Sequence, residues 1–116
     1  MPKRFSGSVR VFYPRYTREG LVAALRERLP GLARQLSLVR VVLFGSWAGG
    51  RQTAASDVDL LIVYRGPARD DAFSVAKLAL AIPGVEPHLY TEAEAAQMQE
   101  RLARMTADGI VLYPDT

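Results

Sequence analysis

Residues 38–64 read LVRVVLFGSWAGGRQTAASDVDLLIVY. Two apolar runs rich in β-branched residues, Leu38 to Phe44 and Val58 to Tyr64, flank a stretch of small and polar residues. The first run ends at Gly45 and the second before Gly66 and Pro67, so both read as strands bounded by turns. They are too apolar to face water and predict one sheet mostly covered by helices. At the border of the second run stand Asp57 and Asp59, two carboxylates one residue apart, where charge is costly unless it is used.

Outward from this stretch the pattern alternates helix and strand. Thr17 can cap a helix starting near Arg18, with Tyr16 and Leu21 as a hydrophobic staple and Leu21, Leu25, Leu29 and Leu32 as an apolar stripe. Pro30 and Gly31 predict that this helix stops near Arg28 and resumes as a second short piece. Upstream, Val9 to Tyr13 alternates weakly and reads as a short strand limited by Pro14. A helix begins at Asp70 or Asp71 and runs through Ala81, with Phe73, Val75, Ala76, Leu78 and Leu80 among its apolar residues; Pro83 and Gly84 end it. A third, central strand is expected over Val85 to Tyr90. Thr91 and Glu94 have capping-box spacing, so a last helix over Glu92 to Thr106 turns Ala95, Met98, Leu102 and Met105 inward. Gly109 then releases the tail IVLY as an edge strand. The expected class is α/β (α+β): a small mixed sheet packed with helices, residues 1–116 forming one domain.

Composition narrows the chemistry. At 116 residues and 49% hydrophobic the chain suffices for one core. No run reaches the roughly 18 apolar residues of a membrane span, and MPKRFSGSVR lacks the apolar core of a secretory signal, so a cytoplasmic protein is expected. With no cysteine, disulfides and thiolate chemistry are excluded; a metal would have to be held by carboxylates, the single histidine or backbone oxygens, a donor set for hard cations. The net charge of +3 is modest and almost all its basic residues are arginine. Without a concentrated basic patch it does not indicate nucleic acid.

The small residues between the strands suit an anion. Gly45, Ser46 and Gly50 let backbone amides approach a phosphate, and a helix start at Ser46 or Trp47 would aim free N–H groups at it. The stretch is neither a Walker loop, lacking GK[ST], nor a GxGxxG fingerprint, and an ordinary turn would account for its glycines alone. SDVD shifts the balance. On a strand, Asp57 and Asp59 project from one face while Val58 and Leu60 enter the other, and two like charges held together favour a bound cation. Magnesium would serve both these carboxylates and a neighbouring triphosphate. Ser56 can donate to a phosphate or fix the turn. Glu86, sharing a strand face with His88 and Tyr90, is the third candidate carboxylate, as a metal ligand and as the base for an attacking hydroxyl. His88 reads first as a polar residue on the sheet face and second as a metal ligand; Trp47 as a pocket wall or as a packing or partner-contact residue; Arg51 as solvated, with a phosphate contact as the alternative; Met98 and Met105 as core.

G45-S46-W47-A48-G49-G50 with S56-D57-V58-D59-L60 resembles the signature of the nucleotidyltransferase superfamily that includes DNA polymerase beta, and specifically its minimal nucleotidyltransferase branch. The resemblance covers roughly Phe44 to Tyr90 and is specific through Ile62. It implies that Gly45 and Ser46 bind the phosphates of the incoming nucleotide, that Asp57 and Asp59 bind magnesium, and that Glu86 completes the triad. It further implies ATP or another nucleoside triphosphate as substrate and a helical higher-eukaryote-and-prokaryote nucleotide-binding (HEPN) partner in a toxin–antitoxin module, with AMP added to a hydroxyl of that partner. Two positions depart from the family pattern: Gly49, where relatives often carry arginine, and Glu86, where many carry aspartate. The competing readings are a noncatalytic nucleotide-binding protein that neutralises its partner and a small-molecule nucleotidyltransferase. So short a chain would borrow acceptor specificity from a partner or from self-association as a homo-oligomer.

Overall fold

The computed structural model describes residues 16–53 and 55–114; the strand expected over Val9 to Tyr13 lies outside them. The element order is α1 (Arg18–Ala33), β1 (Leu38–Phe44), α2 (Ser46–Gly49), β2 (Val58–Tyr64), α3 (Ala72–Leu80), β3 (Val85–Thr91), α4 (Glu92–Gln97), α5 (Gln99–Met105) and β4 (Ile110–Tyr113). The strands form one mixed sheet in the order β3-β2-β1-β4. β1 pairs antiparallel with both β2 and β4, and β2 pairs parallel with β3. The fold class is the α/β arrangement expected from the sequence.

Helices cover both faces, unequally. Leu21, Leu25, Leu29 and Leu32 of α1 and Ala72, Ala76 and Leu80 of α3 pack with Leu43, Leu60 and Ile62 in the larger core. On the opposite face Val42, Leu61 and Val63 meet Leu102 of α5, with Ala95, Met98 and Met105 partly buried around it. β2 is therefore buried on both sides, and of its seven residues only Asp59 is not fully buried. That explains its unbroken apolar run.

Local signals act where the sequence places them. Thr17 accepts a hydrogen bond from the Gly20 amide, and Thr91 and Glu94 form the reciprocal capping box of α4. Three expectations are corrected. α1 does not stop at Arg28: Pro30 lies inside a continuous 16-residue helix, its ring on the exposed side, because Leu29 and Leu32 are anchored in the same core and hold the last turns in line. The last helix is broken at Met98 (φ −119°, ψ 25°) into α4 and α5, with Ala95 of the first piece and Leu102 of the second both packed against the sheet. β3 is an edge strand, since the parallel connection through α3 places it outside β2. β4 forms the other edge, as expected. α3 starts at Ala72 and ends with Ala81 in the left-handed conformation (φ 49°), leaving Phe73 and Leu78 exposed. Among the described residues no helix is long and apolar enough to cross a membrane.

Candidate active site

The end of β1 and the start of β2 meet at the candidate site. Phe44 is the register partner of Asp59 across the antiparallel pair, and Asp59 is in turn the register partner of Glu86 across the parallel pair. Phe44, Asp59 and Glu86 thus form one row across three strands, on the face occupied by Leu61 and Val63. Val58 points the other way, into the larger core. Asp57 sits one residue before β2 and is exposed, as is Glu86.

Directly after Phe44 the chain turns through Gly45, whose φ of 78° and ψ of −154° lie in a region open essentially to glycine. The turn is pressed against the carboxylate. A methyl group on Gly45 would collide with Asp59 Oδ2 and lie 3.3 Å from its Cγ. Gly45 is therefore fixed twice, by its backbone conformation and by the acid beside it.

From Gly45 the chain enters α2, whose first amides, starting at Ser46, have no carbonyl partner within the helix. Its far end is closed. Gly50, left-handed at φ 75°, donates its amide to the Ser46 and Trp47 carbonyls, the Arg51 amide bonds Ser46 O at 2.9 Å, and Arg18 Nη1 of α1 donates to Ala48 O at 2.8 Å. Gly50 thus shapes the turn while its own amide is already used. Over Gly49 lies the guanidinium of Arg51. Ser56 fixes the approach to β2: its Oγ accepts from the Thr53 amide at 2.9 Å, and its own amide donates to Thr53 O. Trp47 packs against the larger core, yet among the described residues its buried Nε1 has no hydrogen-bond partner, and neither has Gln52 Oε1 in the same connection.

One residue is closer to the carboxylates than its sequence position suggested. His88 Nε2 lies 3.3 Å from Asp59 Oδ1, and the histidine ring meets the Phe44 ring edge-on, centroids 5.1 Å apart. The His88 and Asp59 side chains are 35% and 28% exposed, so this pair is half withdrawn from water yet reachable. The sequence offered one hint, that His88 and Glu86 share a face; the contact itself depends on strand order.

The donor chemistry of Asp57, Asp59 and Glu86, all carboxylate oxygen, fits a hard divalent cation, and the Asp59 carboxylate seated against the Gly45 turn fits a cation shared with an anion there. Among the described residues no three histidine, cysteine, aspartate or glutamate side chains already stand close enough to enclose an ion. The backbone sets Asp59 and Glu86 on neighbouring strands, about 4.8 Å apart, while Asp57 and Glu86 are exposed.

The model of the nucleotidyltransferase domain family matches residues 22–112, which include every residue of this site. Among solved structures, a putative nucleotidyltransferase from Sulfolobus solfataricus is 19% identical with a TM-score of 0.55, the match covering 82% of this chain and 81% of that one. A mutant of the toxin–antitoxin MntA–HpeT is 17% identical (TM-score 0.54), and a toxin–antitoxin with AMP-PNP is 20% identical (TM-score 0.52); each match covers 78% of this chain and 74% of that one. At such identities the likeness is one of fold. No curated protein is detectably similar to the chain. The family match runs from the first turns of α1 to the edge strand β4, and the chain belongs to the nucleotidyltransferase domain family.

Proposed function

We propose that this nucleotidyltransferase uses magnesium and ATP, or another nucleoside triphosphate, to transfer a nucleotidyl group to a hydroxyl of a partner protein. The observation that carries the proposal is the contact between Gly45 and the Asp59 carboxylate, which puts a small-residue turn and an acidic strand at one place. The amides of Ser46, Trp47 and Ala48 would face the triphosphate, with the guanidinium of Arg51 nearby as added positive charge. Asp57, Asp59 and Glu86 would hold magnesium. A bound magnesium ion supplies positive charge to the phosphoryl oxygens and to the departing pyrophosphate. Glu86, exposed at the sheet edge, takes the proton of the acceptor hydroxyl. The hydroxyl oxygen bonds to the α-phosphorus as its bond to the bridging oxygen breaks, and pyrophosphate leaves.

Two of the similar folds are toxin–antitoxin structures, one of them with AMP-PNP, which supports a toxin partner and a nucleotide substrate here. We assign that partner to the helical HEPN class and place the reaction in the cytoplasm. Incubation with α-labelled ATP, magnesium and a co-expressed partner should label the partner, and Asp57→Ala should abolish labelling. Partner inhibition with no transfer to any acceptor would refute the catalytic reading in favour of a noncatalytic antitoxin. Labelling of a small molecule without the partner would point to the remaining alternative.

A further inference from the structure

The two oxygens of Asp59 are committed differently. Oδ2 lies against the Gly45 turn, while Oδ1 faces His88 Nε2 at 3.3 Å. His88 is itself held: Phe44 meets its ring edge-on, and Phe44 is the register partner of Asp59. Phe44, Asp59 and His88 come from three adjacent strands of the sheet, so the sheet fixes the three backbones that bring the carboxylate and the imidazole together.

We propose that His88 is a positioning residue for Asp59. Its Nε2–H donates to Oδ1, fixing the rotation of the carboxylate so that Oδ2 stays aimed at the Gly45 turn, where cation and phosphate meet. This inference rests on the site reading given above. A carboxylate that must turn to meet a cation loses affinity to that reorganisation; one locked by an outer partner does not, and removing such partners typically weakens metal binding by 10- to 100-fold. The tautomer with hydrogen on Nε2 leaves Nδ1 as an acceptor.

The test is Mn2+ affinity of the full chain, measured by electron paramagnetic resonance with a non-hydrolysable ATP analogue present. His88→Phe keeps a ring against Phe44 but has no donor. His88→Asn is polar but too short to place its amide where Nε2 stands, whereas His88→Gln reaches. We expect about 10-fold weaker Mn2+ binding in H88F and H88N, near wild-type binding in H88Q, and an Nε2–H tautomer in the wild-type histidine NMR spectrum. The Asn and Gln variants are alike in polarity, so their difference survives any general destabilisation by the substitution. Wild-type affinity in all three would overturn the proposal and leave the site reading standing. Loss in H88Q equal to that in H88F would also overturn it, by showing that a ring nitrogen and not a hydrogen bond to Asp59 is what matters. Unchanged Mn2+ binding in Asp59→Ala would remove the site reading and this inference together.

Discussion

Gly45 combines a backbone conformation that residues with a side chain avoid and a carboxylate where that side chain would go. Gly45→Ala should therefore destabilise the fold by about 2–3 kcal/mol in urea unfolding, the upper range for a strained backbone position, and should weaken nucleotide binding in the same protein. Asp59→Asn separates charge from shape. It retains the volume beside Gly45, so the melting temperature should stay close to wild type while transfer falls by at least about 100-fold, the scale expected when charge stabilisation is removed from a transferring phosphoryl group. Away from the site, Arg69 donates through Nε and Nη2 to both oxygens of Asp71 at 2.9 Å, and this hydrogen-bonded pairing holds the Asp71 carboxyl below its ordinary value. The stability it confers is present above the unfolded carboxyl value, near pH 4, and is lost as pH falls through the lowered folded value. Carboxyl NMR titration of Arg69→Ala should show Asp71 titrating at higher pH than in the wild type.

The elements differ in how plainly the sequence announced them. Strand runs, the Thr17 cap and the Thr91–Glu94 box depend on neighbours a few residues away, and these stood where expected. Pro30, the break at Met98 and the edge position of β3 depend on what packs against them from far along the chain, and local signals misjudged all three. The site divides along the same line. Gly45, Ser46, Asp57 and Asp59 could be singled out because one short connection joins them, whereas His88 could be placed beside Asp59 only once β3 was known to lie parallel to β2. Pro30 interrupts a hydrogen-bonded helix from its exposed side, so Pro30→Ala restores an amide donor at the cost of a looser unfolded chain. The net gain should be about 2 kcal/mol by denaturant melting. Thr91→Ala removes one half of the capping box and should cost about 1 kcal/mol. Because Thr91 also ends β3, the loss should loosen the strand that carries Glu86 and His88.

At the scale of the molecule, the sheet separates a large core from a small one, and the carboxylates lie on the side of the small one. Hydrogen exchange should follow that division: amides of β1 and β2 should open only with global unfolding, while α4 and α5, whose buried anchor is Leu102, should open at lower free energy. The single carboxylate within β2 has a further effect on how the chain finds its structure. Leu60 to Tyr64 are buried on both faces, so greasy residues alone would tolerate sliding this strand by one position against its neighbours. Asp59 would not, because the slide would drive its charge among leucines at a penalty of several kcal/mol. The acid proposed to hold the metal would thus also serve as the strand's alignment key, and a mispaired chain would be rejected by the charge it had to bury.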